Sequence, residues 1–84
     1  MKAKHRKTLE AIYDKPTRGG IVFSEIDALI VGLGGEVREG DGSRVVFELK
    51  VSRKYLHRPH PGKEAKKYQV EELRDWFLQL EIKP

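Results

Sequence analysis

The chain has 84 residues, a formal net charge of +4 and no cysteine. Its length predicts a single domain with a modest core. The lack of cysteine excludes disulfide bonds and thiolate metal sites, and no apolar run approaches the ~20 residues that a membrane-spanning helix needs. The N-terminal segment lacks the apolar stretch of a signal peptide, so we expect a cytoplasmic protein that has no membrane partner.

The charge is unevenly distributed along the chain. Residues 1–18 and 44–68 sum to +4 and +6, whereas residues 19–43 and 69–84 sum to −4 and −2. A basic block in the middle of the chain attracts phosphate backbones or an acidic protein surface. Ordinary solvated charge explains the same pattern about as well. Charge alone therefore leaves the partner open.

Two segments in the first half of the chain have the spacing of helices. Large or apolar residues on one side of segment 4–14 predict a short first helix with a thin contact face, which Pro16 ends. Apolar residues then recur at helical spacing within segment 24–33. We expect Ser24 to cap this second helix, with Asp27 three residues further on.

The pattern then changes to the alternation that is typical of strands. Segments 36–39, 43–49 and 53–57 are predicted to form an antiparallel sheet joined by short turns. Alternate residues separate a core face from a solvent face. The core face carries Val45, Phe47, Leu49 and Leu56, and the solvent face carries Arg44, Val46, Glu48, Arg53, Tyr55 and His57.

A last helix is predicted over residues 68–80, where apolar residues again recur at helical spacing. The order of elements gives an α+β fold in which helices 24–33 and 68–80 cover one face of a three-stranded sheet. We expect Tyr68 and Trp76 to lie in the core rather than to stack on bases. We expect His5, on the first helix, to be solvated.

The segment His57-Arg58-Pro59-His60-Pro61 holds two of the three histidines. Its prolines restrict the backbone, and imidazole can give or take a proton near neutral pH. Proton-transfer groups in a basic region suit an enzyme that acts on a polyanion. A structural turn, or phosphate contact without catalysis, fits the segment too. The His-x-x-His spacing lacks a third strong ligand, so we predict no metal and no cofactor.

Several stretches, in this order, resemble the HicA family of toxins from bacterial toxin-antitoxin pairs. They are Ser24-Glu25-Ile26-Asp27-Ala28-Leu29-Ile30 with Leu33-Gly34-Gly35, then Gly42-Ser43-Arg44, then His57 to Pro61, then a closing helix that ends near Ile82-Lys83-Pro84. The resemblance implies a double-stranded-RNA-binding-like α-β-β-β-α core over residues 21–84, with residues 1–20 as a helical N-terminal extension. It also implies an mRNA-cleaving toxin that a HicB-type antitoxin silences by binding over its active surface.

This chain departs from the family pattern at one position. The catalytic histidine of the family follows Gly-Ser at the start of the middle strand, and here that residue is Arg44. Arginine stays protonated, so it cannot act as a general base, although it can bind phosphate or stabilise the transition state.

We therefore predict metal-independent RNA cleavage in which His57 and His60 serve as base and acid, and Arg44, or else Arg53 or Arg58, supplies the cation. The predicted RNA-binding residues are Ser43, Arg53, Lys54, Tyr55, Arg58, Lys63 and Lys67. The alternative is a module of the same fold that binds RNA, or only the antitoxin, and has lost catalysis at Arg44.

Overall fold

A computed structural model describes all 84 residues and contains three helices and one three-stranded sheet. The antiparallel sheet has the order β1-β2-β3. The predicted α+β order is confirmed, and no helix has the length and apolar character needed to cross a membrane. The elements are α1 Ala3–Tyr13, α2 Phe23–Gly32, β1 Glu36–Glu39, β2 Arg44–Leu49, β3 Ser52–His57 and α3 Lys67–Gln79.

The core lies between the sheet and two helices. Helix α2 packs on β1 and β2, and α3 packs on β3, so that the helices cover one face of the sheet. The alternation along β2 is as predicted, because Val45, Phe47 and Leu49 are buried while the residues between them are not. The opposite face of the sheet is left without a covering element.

Helix α1 contributes more to the core than its thin apolar face predicts. Leu9 and Ile12 are completely buried, and the helix packs on α2 and α3. The buried Arg74 of α3 donates hydrogen bonds of 2.9 Å to the backbone oxygens of Ile12 and Asp14. Carbonyl groups at a helix C-terminus have no partner within the helix, so these bonds satisfy them and connect α1 to α3.

The prediction that Ser24 caps α2 is wrong. The helix begins one residue earlier, at Phe23, and its capping residue Val22 makes no side-chain hydrogen bond. The backbone N–H of Phe23 instead donates to the carbonyl oxygen of Lys63, 2.9 Å away. A distant segment therefore satisfies the first turn of the helix, which no local sequence pattern could indicate.

The two aromatic residues predicted for the core of α3 have different positions. Trp76 is buried, as predicted, and its indole N–H donates a 2.9 Å hydrogen bond to the Ser52 hydroxyl. Tyr68 is 55 % exposed, so its predicted burial is wrong. The reason is helical geometry, because Tyr68 lies on the opposite side of α3 from the buried Val70.

His5 was predicted to be solvated, but it is partly buried. Its imidazole lies against Gly32 of α2, where a Cβ atom would come within 2.3 Å of the His5 Nδ1 atom. Glycine at this position therefore allows α1 and α2 to approach closely. The ring serves helix packing.

Candidate functional site

The face of the sheet that no helix covers, called here the open sheet face, divides into two ends. Cross-strand neighbours place Glu48 opposite Arg53 at one end and Arg44 opposite His57 at the other. We call the first the paired end and the second the groove end. The paired end comprises Glu36, Arg38, Glu48 and Arg53, and the groove end comprises Arg44, Val46, Tyr55 and His57.

The charges of the paired end neutralise one another. One carboxylate oxygen of Glu48 lies 3.0 Å from Nε of Arg53, and the other lies 3.3 Å from Nη2 of Arg38. Arg38 also pairs with Glu36 at 2.7 Å. The hydrogen bond from Arg53 lowers the pKa of the Glu48 carboxyl. Two arginines and two glutamates leave this end with no net charge.

The groove end forms an open depression of about 540 Å³ in the sheet surface. Arg44 is exposed here and forms no ion pair. Asp41, in the turn between β1 and β2, is the one acidic residue of the lining. An arginine without a carboxylate partner can bind an incoming anion. The lining consists of Gly40, Asp41, Arg44, Val45, Val46, Tyr55, Leu56 and His57.

The pairing of β2 with β3 brings Arg44 and His57 close together. The backbone N–H of Arg58 donates a 2.7 Å hydrogen bond to the carbonyl oxygen of Ser43. Arg44 and His57, the next pair along the ladder, are therefore a non-hydrogen-bonded pair, the type whose side chains lie closest. Cβ atoms in such pairs are about 4.5–5.5 Å apart. A cation and an imidazole thus share one end of the groove.

Two contacts fix the position of His57. Its Nδ1 atom lies 3.1 Å from the Ser43 hydroxyl oxygen, and its backbone oxygen accepts a 2.7 Å hydrogen bond from the side-chain amide of Gln69. Gln69 is only 2 % exposed, and its amide oxygen accepts a hydrogen bond from the N–H of Lys66 at the start of α3. The Nε2 atom of His57 has no hydrogen-bond partner in the protein, so it is free to act on a ligand.

Arg58, the residue after His57, is held by carboxylates. Its guanidinium lies 2.7 Å from a carboxylate oxygen of Asp27 and also pairs with Glu39. It covers the ring of Phe23, with 5.4 Å from its carbon to the ring centroid. Burial raises the pKa of the Asp27 carboxyl, and the hydrogen bond from Arg58 opposes this rise. Arg58 therefore connects the end of β3 to α2 and β1.

The remaining residues predicted to act on RNA lie outside the groove. Arg53 belongs to the paired end. Lys54 points to the helix-covered side of the sheet, where its ammonium lies 3.4 Å from a carboxylate oxygen of Glu72. His60, Lys63 and Lys67 are exposed, and none of them lines the groove. The structure thus brings together Ser43, Arg44, Tyr55 and His57.

Three residues of this site were not among the site residues predicted from the sequence. Val46 forms part of the groove, and its neighbour across the ladder is Tyr55. Asp41 lines the groove from the turn between β1 and β2. Gln69, which belongs to α3, donates a hydrogen bond to the backbone oxygen of His57. Strand alternation indicated the side on which Val46 lies, but no sequence signal could have identified Gln69, because its role depends on how α3 packs. No group of three or more His, Asp or Glu residues is arranged to hold a metal ion.

The groove end thus presents an arginine without a carboxylate partner beside an imidazole, an arrangement that can bind an anion. A family model described as the HicA toxin of bacterial toxin-antitoxin pairs matches residues 23–79, well over half of the chain. The chain belongs to this family and is a toxin of a toxin-antitoxin system. The matched segment runs from α2 to α3 and leaves α1 outside. No curated protein and no solved structure matches the chain.

Proposed function

We propose that this toxin cleaves messenger RNA in the groove, with His57 as the general base in place of the family's histidine. One observation carries the proposal. His57 lies directly across the sheet from Arg44, the position at which the family pattern has its histidine. Moving the imidazole to the neighbouring strand keeps it at the same end of the same groove.

The chemistry follows from the contacts of His57. When the Ser43 hydroxyl accepts the proton of Nδ1, the lone pair of Nε2 is free to remove the proton of a ribose 2′-OH. The 2′ oxygen then attacks the adjacent phosphorus and the bond from phosphorus to the 5′ oxygen breaks. The products are a 2′,3′-cyclic phosphate and a 5′-OH, whose oxygen takes its proton from a water molecule, and the hydroxide that remains takes the proton back from His57. No metal takes part.

Arg44 supplies the positive charge that this reaction needs. A guanidinium can donate two parallel hydrogen bonds to phosphate oxygens, whose charge grows as the five-coordinate phosphorus forms. Because Arg44 has no carboxylate partner, it need not break an ion pair before it binds the substrate. A HicB-type antitoxin that binds over the open sheet face would block the same groove.

Cleavage of a labelled RNA oligonucleotide by the purified chain tests this proposal. We expect His57→Ala to lower the cleavage rate about 100-fold or more, because general base catalysis contributes about 10²–10⁴. His60→Ala is the matched control, since it removes an exposed histidine outside the groove, and it should retain the rate. A chelator should leave the rate unchanged. If His57→Ala cleaved the oligonucleotide at the wild-type rate, His57 would not be the general base.

The second candidate function is RNA binding without catalysis, which the arginine at position 44 favours. In that case the wild-type chain binds the oligonucleotide and leaves it intact. The variant Arg44→His, which restores the family residue, would then acquire cleavage. Expression without an antitoxin distinguishes the two functions in cells, because only the enzyme should arrest growth and degrade messages.

A further inference from the structure

Tyr55 presents an aromatic ring to solvent in the groove. It is 67 % exposed, and the partly buried Val46 is its neighbour across the ladder. The proposed cleavage reaction uses neither residue. A flat ring beside an apolar residue, next to an arginine without a carboxylate partner, offers what a nucleotide needs, namely a stacking surface and a cation for its phosphate.

We propose that Tyr55 and Val46 form a subsite for an unpaired nucleobase, adjacent to the phosphate that Arg44 and His57 bind. The inference rests on the proposed function, and it adds the class of substrate. Tyr55 and His57 are two residues apart on β3 and point to the same side, which places them about 6.6–6.8 Å apart along the strand. One nucleotide spans this distance between its base and its phosphate.

The subsite selects single-stranded RNA. In an A-form duplex the faces of the bases are stacked on their neighbours, and the deep, narrow major groove keeps side chains out. A ring on a sheet surface can therefore stack only on a base that is free to turn outward. Every base has a π-face, so the subsite requires an unpaired base without specifying which one.

Binding to an RNA that cannot be cleaved tests the subsite apart from catalysis. The probe is a labelled 2′-O-methyl oligo(U) of about twelve nucleotides, used alone or annealed to 2′-O-methyl oligo(A). The methyl group blocks the 2′ oxygen, so binding is measured whether or not the chain is an enzyme. We expect wild type to bind the single strand more tightly than the duplex.

Variants of Tyr55 give the decisive comparison. Tyr55→Ala should weaken binding to the single strand about 5- to 150-fold and leave binding to the duplex unchanged. Tyr55→Phe should bind like wild type, because stacking needs the ring and not the hydroxyl. The dependence of affinity on salt should be the same in wild type and Tyr55→Ala, since no phosphate contact is lost. Tyr68→Ala, at the other exposed tyrosine, is the control and should bind like wild type.

Two results would overturn the subsite: Tyr55→Ala binding the single strand as tightly as wild type, or wild type binding the duplex as tightly as the single strand. Failure of the proposed function looks different. A chain that shows the expected Tyr55 dependence but leaves unmodified oligo(U) intact would support the subsite and refute the enzyme.

Discussion

Both ends of the open sheet face carry arginine, and they differ in how the charge of the arginine is compensated. At the paired end, Arg38 and Arg53 share the carboxylate of Glu48. At the groove end, Arg44 has no carboxylate partner and faces His57 across the ladder. A count of basic residues therefore overstates the positive charge that is available to a ligand. The arginine that is free to bind an anionic ligand is Arg44, which has no carboxylate partner.

Among the arginines, Arg44 should have the largest effect when it is replaced. We expect Arg44→Ala to lower the rate of RNA cleavage about 100-fold, because it removes the cation that we propose stabilises the five-coordinate phosphorus. Arg44→Lys should cleave at a rate between those of wild type and Arg44→Ala, since lysine keeps the positive charge but lacks the planar guanidinium group. Arg44→Ala should also reduce the slope of log affinity against log salt by about one unit. A variant that retains both rate and slope would place the phosphate elsewhere.

Arg58 differs from the arginines at both ends of the sheet face, because it is partly buried and forms ion pairs with two carboxylates. Arg58→Ala leaves the half-buried Asp27 without its partner, and we expect a loss of about 1–2 kcal/mol in the free energy of unfolding. Denaturant unfolding measures this. Arg18→Ala, which removes an exposed pair with Asp14, is the control and should cost less than about 0.5 kcal/mol. Equal losses would contradict a structural role for Arg58.

Removing the carboxylate that Arg38 and Arg53 share should make the paired end resemble the groove end. Glu48→Gln frees both Arg38 and Arg53 from its charge, so RNA should bind several-fold more tightly at low salt, with a steeper salt dependence of up to about one unit. Glu72→Gln makes the same charge change beside Lys54, off the open face, and serves as the control. An equal gain in both variants would mean that net charge alone governs binding.

The smallest effect is expected for an arginine of the paired end. Arg53→Ala should change RNA affinity by less than about twofold and stability by less than about 0.5 kcal/mol, since exposed ion pairs contribute little. Titration with a labelled oligonucleotide and thermal unfolding measure the two quantities. A loss in affinity as large as that of Arg44→Ala would show that both ends of the face bind RNA.

Much of the fold follows from periodicity. The apolar spacing predicted each helix and strand to within one residue of its observed ends, because core burial imposes the pattern on the sequence. Strand alternation also placed Arg44, Tyr55 and His57 on one face, as observed. The two-residue turn at Lys50 and Val51 has positive φ at both positions without glycine or asparagine, so its type could not be predicted.

The parts that sequence could not predict depend on contacts between distant residues. Arg58 was predicted to bind RNA from its charge, yet its partners Asp27 and Glu39 precede it by 31 and 19 residues. Gln69 reaches the backbone of His57 only because α3 packs beside β3. The number of charged residues can be counted in the sequence, whereas which of them form ion pairs depends on the fold.

An exchange of the cross-strand pair tests most directly whether His57 replaces the family's histidine. The cleavage rate would be measured for wild type, His57→Arg, Arg44→His and the double variant Arg44→His/His57→Arg. We predict that His57→Arg cleaves about 100-fold or more slowly than wild type, and that the double variant is at least about tenfold faster than His57→Arg, because the imidazole and the cation again share the groove. A folded double variant as inactive as His57→Arg would contradict the replacement.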